Sequence, residues 1–242
     1  MGRDRVHNRH RGGTLLKTVR AQVRLRPLAA AAVCFALFGW AWVAVHLVQG
    51  RALPFDEAIE AILTGIRWGA LQPLVDFVAW LNGPRQTIAG FAIVIVVSLL
   101  WLRVAPLMIA AAASGSLYSM ILSVVARPRP PSTHDSFTGF GFPSGHAVFF
   151  TTYAVLLALV LRRRLPPRLA RAGVAVLALV WLVAVVSRVW AHAHWASDVL
   201  AGIALALGWV SLVLSVRWLS APVLDDDRTP AGVEYPPASQ TY

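Results

Sequence analysis

The sequence predicts an all-α fold, a polytopic membrane helical bundle with about six transmembrane helices. Of its 242 residues, 57% are hydrophobic and only 14% are charged, whereas about 25% of the residues in soluble domains are charged. The mean hydropathy is +0.64, and the apolar residues are collected in long runs. This composition excludes an ordinary soluble domain and indicates an integral membrane protein.

Six apolar runs define the predicted spans. The longer runs can cross a hydrocarbon core of about 30 Å as helices, and the shorter ones need tilt or extension by neighbouring residues. The runs are 28–48, 87–102, 104–126, 147–161, 172–186 and 199–216. The first is longer than the core of a signal peptide and has no clear cleavage site, so we expect an uncleaved helix.

Charge divides the chain into a basic cytoplasmic tail at 1–27, a six-span membrane domain at 28–218 and a disordered cytoplasmic tail at 219–242. Arginines are concentrated in the first tail and at 162–171, and such segments stay on the cytoplasmic side of a membrane. The net charge of +11 follows from this topology and from attraction to anionic headgroups. No aromatic interleaving supports nucleic-acid binding.

The connections and the cysteine content limit the remaining possibilities. Residues 49–86 mix apolar and charged positions, which fits an amphipathic interfacial helix, a lid over a site or simple packing at the membrane surface. The single cysteine, Cys34, excludes an intrachain disulfide. No cluster with metal-ligand spacing is present in the sequence, so we expect neither a metal nor a cofactor.

Three polar clusters interrupt the apolar pattern, and the predicted topology puts all of them on the extracytoplasmic side. They are Arg127-Pro128-Arg129-Pro130, Pro143-Ser144-Gly145-His146, and Ser187-Arg188 followed by His194 and Asp198. Guanidinium groups pair with phosphate oxygens, and a hydroxyl with a glycine-flanked N–H can hold an oxyanion. Histidine can act as a nucleophile or a proton donor. The clusters therefore indicate an enzyme that handles phosphate.

The spacing within the third cluster predicts a cooperating pair. His194 and Asp198 are four residues apart and share a face if the segment is helical. A carboxylate that bonds one ring nitrogen fixes the tautomer and raises the nucleophilicity of the other nitrogen. His192 has no such support, and we interpret it as structural.

The order and spacing of the clusters resemble the three signature motifs of the type 2 phosphatidic acid phosphatase superfamily, whose core is similar to that of vanadium haloperoxidases. The resemblance covers roughly residues 28–217. The second motif (Pro-Ser-Gly-His) and the third (Ser-Arg-x5-His-x3-Asp) match in full. In the first motif, Lys-x6-Arg-Pro, Arg129 and Pro130 match, but the lysine position is occupied by Leu122.

The resemblance implies a metal-independent mechanism with a phosphohistidine intermediate. His194 attacks phosphorus, Asp198 orients it, and His146 protonates the leaving oxygen and then activates the hydrolytic water. The phosphoryl oxygens are held by a further set: Arg129, Ser144, the Gly145 N–H and Arg188.

The missing lysine leaves two possibilities for the first motif. The run at 104–126 contains no charged residue, so no side chain of that helix can supply an ammonium group. We expect Arg127 to take over the phosphate contact, and the alternative is that the position at Leu122 is simply empty.

The function predicted from these motifs is an integral plasma-membrane lipid phosphatase with an extracytoplasmic active site. Its partners are the membrane and a lipid phosphate, such as phosphatidic acid, phosphatidylglycerol phosphate or a polyprenyl diphosphate. The alternative is a non-catalytic lipid-binding or transport protein that lost turnover with the lysine. A haloperoxidase is disfavoured because those relatives are soluble, whereas this chain is built of apolar spans.

Overall fold

The computed structural model describes residues 23–131 and 139–225. The predictions for the two tails fall mainly on 1–22 and 226–242, outside the described residues. The described residues form these α-helices: α1 (Leu25–Leu47), α2 (Pro54–Thr64), α3 (Gln72–Trp80), α4 (Pro84–Leu100), α5 (Ala105–Ala112), α6 (Ser114–Val125), α7 (Gly145–Arg164), α8 (Pro167–Trp190), α9 (Ala196–Ser215) and α10 (Arg217–Leu224).

Five helical segments are long and apolar enough to cross a membrane. They are α1, the segment Leu102–Val125 that contains α5 and α6, α7, α8 and α9. The helical segment Gly69–Trp80 and α4 together provide a sixth candidate, bent by 96° between them. Gly83 stands at this bend with φ +55°, and Pro84 then occupies the first helical position, where proline is favoured. The predicted all-α membrane bundle of about six helices is confirmed.

The helices extend beyond the apolar runs where polar residues lie at their ends. The run predicted at 147–161 is a helix from Gly145 to Arg164, because the polar end residues can lie at the membrane interface while the backbone continues its hydrogen bonds. The run at 104–126 is interrupted at Ala113. The sequence Ser-Gly-Ser that follows has low helix propensity, and Ser114 Oγ lies 3.1 Å from Thr152 Oγ1 of α7.

The predicted start of the disordered tail at residue 219 was wrong. Residues 219–224 complete α10, whose Leu219, Ser220 and Val223 are buried. Arg24 Nε donates to Ser220 Oγ at 2.9 Å, which joins this helix to the start of α1. The acidic and proline-rich composition suggested disorder. Leu219 and Val223, however, are four residues apart on one face of the helix and pack on the bundle.

The central helix of the bundle is α9, which packs between α1 and α7. Its small residues let neighbouring backbones approach closely, as in many membrane bundles. A Cβ on Gly208 would lie 3.0 Å from Phe35 of α1. A Cβ on Gly202 would lie 2.7 Å from the carbonyl oxygen of Ser144 and 2.9 Å from Cβ of Ala147. Gly202 thus fixes the turn that starts α7.

We predict that Gly202→Ala lowers thermal stability, because backbone at the start of α7 must move away from the added methyl group. The matched control is Gly39→Ala, since a Cβ on Gly39 meets nothing within 4 Å and alanine favours helix over glycine. The measurement is thermal unfolding of the detergent-solubilised proteins. Equal unfolding temperatures for the two variants would contradict this account of the α7–α9 contact.

Candidate active site

The three polar clusters meet at one end of the bundle. This end combines the C-terminal ends of α1, α6 and α8 with the N-terminal ends of α4, α7 and α9. The backbone N–H of Ser144 donates to the carbonyl of Asp198 at 3.0 Å, and Arg129 Nη1 donates to the carbonyl of Ala193 at 2.5 Å. These bonds join the second motif to the third and the first motif to the third.

A cavity of about 460 Å³ opens among these residues. Four of the predicted site residues line it: Arg129, Gly145, His146 and His194. Polar residues of α4 and α6 also line it, namely Gln86, Thr87, Ser116, Tyr118 and Ser119. The other predicted site residues are buried behind this lining: Arg127, Ser144, Arg188 and Asp198.

The buried imidazole of His194 is held in one tautomer. Its Nδ1 lies 2.8 Å from the carbonyl oxygen of Gly141, and because a carbonyl only accepts, Nδ1 carries the proton. Its unprotonated Nε2 lies 3.2 Å from Arg129 Nη1 and accepts a hydrogen bond from it. Burial lowers the pKa of His194, and Arg129 lowers it further, although the nearby Asp198 carboxylate raises it. The unprotonated ring has a nucleophilic nitrogen beside a guanidinium group.

Asp198 lies beside His194 and also acts on it through the backbone. The helix α9 begins only at Ala196, so His194 lies in the preceding turn and the helical i, i+4 geometry does not apply. Asp198 Oδ2 is 3.8 Å from His194 Nδ1 and accepts the N–H of Trp195 at 2.9 Å. The carboxylate therefore caps α9 and fixes the turn that carries the histidine.

Arg127 is a structural residue here, which corrects the expectation that it contacts phosphate. Its side chain is fully buried and does not line the cavity. All three guanidinium nitrogens are engaged by the following partners: Nε by Gly50 O at 3.1 Å, Nη1 by Ser197 Oγ at 2.7 Å and by Asp198 Oδ1, and Nη2 by Arg51 O at 2.7 Å and Asp56 Oδ2 at 3.0 Å. Arg129 lines the cavity and Arg127 does not, although residues i and i+2 of a regular extended run would share a face.

Asp56 is an important residue that the sequence reasoning did not single out. It is fully buried and accepts the N–H of Leu53 at 2.8 Å, the N–H of Ser197 at 2.8 Å and the Ser197 hydroxyl at 2.7 Å. Pro54 at the start of α2 followed by an acid at the third helical position is a recognisable capping signal. That signal indicates the helix start but not the partner on α9. These contacts favour packing over a lid for α2.

His146 is also oriented by a residue outside the motifs. Its Nε2 lies 3.2 Å from the carbonyl oxygen of Val78 in α3, so this nitrogen donates and Nδ1 is the one left for proton transfer. The side chain is buried and stacks on Phe150 with ring centroids 6.3 Å apart. The adjacent Ser144 caps α7, because its Oγ accepts the N–H of Ala147 at 3.4 Å.

Two site arginines have no carboxylate partner among the described residues, unlike Arg127. Arg129 Nε is buried without a hydrogen-bond partner, and burial lowers the pKa of Arg129 while nearby Tyr118 and Asp198 raise it. Among the described residues, the Arg188 guanidinium, 2% exposed as a residue, bonds only to the Ser187 hydroxyl, at 3.3 and 3.4 Å. A buried charge is costly unless it is paired. The site is therefore built to receive an anion.

The described residues contain no group of three or more His, Cys, Asp or Glu side chains that could hold a metal ion. Among them, His192 pairs with Glu60 of α2 and does not line the cavity. This contact ties the turn between α8 and α9 to α2.

We predict that Arg127→Ala destabilises the fold by about 3–5 kcal/mol, since it leaves two buried carboxylates without their cation. Arg129→Ala, by contrast, removes a charge that has no carboxylate partner and should leave the unfolding temperature close to that of the wild type. Thermal unfolding in detergent measures both effects. A stable Arg127→Ala variant would contradict the structural role assigned to this arginine.

Comparisons with known proteins agree with this geometry. The sequence model of the PAP2 superfamily matches residues 103–222, which contain the three polar clusters. The chain is 34% identical over 126 residues to a lipid A 1-phosphatase of Rhizobium etli. That match covers 46% of this chain and 48% of the relative, so it spans about half the length of that protein.

The fold also has a solved counterpart. The structure is similar to the crystal structure of a transmembrane PAP2-type phosphatidylglycerolphosphate phosphatase from Bacillus subtilis, with a TM-score of 0.61 and 22% sequence identity. The similarity covers 76% of this chain and 93% of the other, and it shows a shared fold. The resemblance predicted from the motifs is thus confirmed, and residues 103–222 form a domain of the PAP2 superfamily, the type 2 phosphatidic acid phosphatases.

Proposed function

We propose that this integral membrane protein is a lipid phosphatase that hydrolyses a phosphomonoester or diphosphate headgroup through a phosphohistidine on His194. One observation carries the proposal. The unprotonated Nε2 of His194 lies 3.2 Å from Arg129 Nη1 at the wall of a cavity. Arg129 at this wall and the buried Arg188 behind it have no carboxylate partner among the described residues.

The proposed reaction proceeds in two displacements. In the first, the Nε2 lone pair of His194 forms a bond to phosphorus, and the bond from phosphorus to the lipid oxygen breaks. His146 enters this step protonated on both ring nitrogens and gives its Nδ1 proton to that oxygen. In the second, His146 takes a proton from water, the water oxygen bonds to phosphorus and the phosphorus–nitrogen bond breaks. Arg129 and Arg188 stabilise the charge on the phosphoryl oxygens in both steps.

The shape and lining of the cavity support a lipid substrate. Its polar end holds Arg129, His146 and His194, while Phe91 of α4 and Phe149 of α7 belong to the same lining. A headgroup phosphate can enter the polar end while the hydrocarbon tail remains in the bilayer. Phosphatidic acid, phosphatidylglycerol phosphate and polyprenyl diphosphates are the candidate substrates, and the two relatives are named for the removal of phosphate from lipids.

The distribution of arginines supports an extracytoplasmic active site. Basic residues are concentrated at the end of the bundle opposite the cavity: Arg24, Arg103, Arg162, Arg163, Arg164, Arg168 and Arg171. Arg164 lies over the ring of Trp101, 4.9 Å from its centroid. Tryptophan is enriched at membrane–water interfaces, so this contact indicates where the bundle leaves the bilayer. Because basic segments stay cytoplasmic, the opposite end with His194 faces outward in the plasma membrane.

We predict that the purified protein releases inorganic phosphate from at least one of these three lipids and that His194→Ala abolishes the release, because the nucleophile is lost. The matched control is His46→Ala, since His46 is an exposed residue near the C-terminal end of α1 and does not line the cavity. Full turnover by His194→Ala would contradict the mechanism. Lipid binding without turnover by the wild type would favour the non-catalytic alternative.

The same assay tests the proposed independence from metal. Since the described residues contain no ligand cluster and the two arginines supply the positive charge, activity should persist in excess EDTA. Activity that is lost with the chelator and restored by magnesium would contradict the proposal.

We also predict that the acidic limb of kcat/KM against pH has its midpoint below 6.5. The nucleophile must be unprotonated, and burial lowers the pKa of His194 from the ordinary value of 6.5. Lowering the pH through this depressed pKa protonates Nε2 and stops the attack on phosphorus, so activity persists to more acidic pH than for an exposed histidine. A midpoint at or above 6.5 would contradict the assignment.

A further inference from the structure

The cavity lacks the cation that the first motif normally supplies. The lysine position is occupied by Leu122, and Arg127, the expected replacement, has its three nitrogens engaged behind the cavity. A contact to one side of the bound phosphoryl group is therefore missing unless another residue makes it.

Tyr118 lies on the same face of α6 as Leu122, one helical turn earlier. It lines the cavity together with Arg129, His146 and His194. It is also close enough to Arg129 to raise the pKa of that guanidinium against the lowering effect of burial. The tyrosine ring thus extends from the helix of the missing lysine into the predicted phosphate site.

The hydroxyl of Tyr118 lies beside the first residue of α7. A Cβ built on Gly145 would be 2.8 Å from both Cζ and Oη of Tyr118, so glycine at this position leaves room for the phenol. The N–H groups at a helix N-terminus bind anions, and Gly145 is the residue whose N–H is predicted to hold the phosphoryl group. Among the described residues, no hydrogen bond engages the Tyr118 hydroxyl, so its proton is available to a ligand.

We propose that the Tyr118 hydroxyl donates a hydrogen bond to a non-bridging phosphoryl oxygen of the substrate and so takes the place of the lysine missing at Leu122. The inference rests on the proposed phosphatase function. A phenol supplies directed hydrogen bonding without a full positive charge, so the site holds the phosphoryl group with the charges of Arg129 and Arg188 and with a neutral donor from α6. This contact strengthens as negative charge develops on the phosphoryl oxygens in the transition state.

The test uses the full-length protein and the phosphate-release assay. Tyr118→Phe removes only the hydroxyl, and we expect kcat/KM to fall by about tenfold to a hundredfold, the scale of one hydrogen bond to a charged group. The inhibition constant of orthovanadate should rise in the same variant, since vanadate presents the same oxygens. The matched control is Ser123→Ala, which also removes one hydroxyl from α6, because Ser123 Oγ donates to the carbonyl of Met120 at 2.9 Å and Ser123 does not line the cavity. The control should keep wild-type kcat/KM and vanadate inhibition.

A second variant tests the replacement directly. If Tyr118 substitutes for the lysine, Leu122→Lys should restore most of the activity that Tyr118→Phe loses, and should change the wild-type activity little. Unchanged kcat/KM and vanadate inhibition in Tyr118→Phe would overturn the inference, as would an equal loss in Ser123→Ala or no rescue by Leu122→Lys. A wild-type protein that hydrolyses no lipid phosphate and is not bound by vanadate would instead overturn the proposed function, so the two failures are distinguishable.

Discussion

The geometry of the site depends on one buried ion network. Arg127 is paired with Asp56 of α2 and with Asp198 of α9, and its Nε and Nη2 atoms also bind two carbonyls at the end of α1. Three parts of the chain, namely the end of α1, α2 and α9, are thereby fixed to one guanidinium group. Because each partner would be a costly buried charge without the others, the network strongly resists rearrangement, and it holds the first turn of α9 in place.

The positions of the reacting groups follow from that fixed turn. Asp198 caps α9 and binds the N–H of Trp195, so the residue just before, His194, presents Nε2 to the cavity while Gly141 fixes its tautomer. Arg129 and Arg188 have no carboxylate partners among the described residues, in contrast to Arg127 with its two. Arg127 therefore holds the fold, whereas Arg129 of the same Arg-Pro-Arg-Pro run lines the cavity without a carboxylate partner among the described residues.

Much of this arrangement could be predicted from the sequence. Apolar runs predicted the membrane helices, because crossing a hydrocarbon core requires long apolar segments. The motifs predicted that His146, Arg129 and His194 would come together, and they line one cavity in the structure. The order of the clusters along alternating spans also predicted that they would lie at one end of the bundle.

Other contacts could not be predicted, and each has a physical reason. The pairing of Asp56 with Arg127 joins residues that are 71 positions apart and depends on which way each side chain points. The turn that carries His194 was not predicted, because the i, i+4 rule assumes a helix, whereas α9 begins two residues later. The tail boundary was misplaced because composition suggested disorder where Leu219 and Val223 pack against the bundle.

The most direct test of the central claim is to trap the intermediate. Substrate with labelled phosphate is mixed with the purified protein, the reaction is quenched under alkaline conditions that preserve phosphohistidine, and the modified peptide is identified by mass spectrometry. The account predicts one phosphate on His194, attached at Nε2, and none in His194→Ala. Turnover with no label on the protein, or with the label on a different residue, would contradict it.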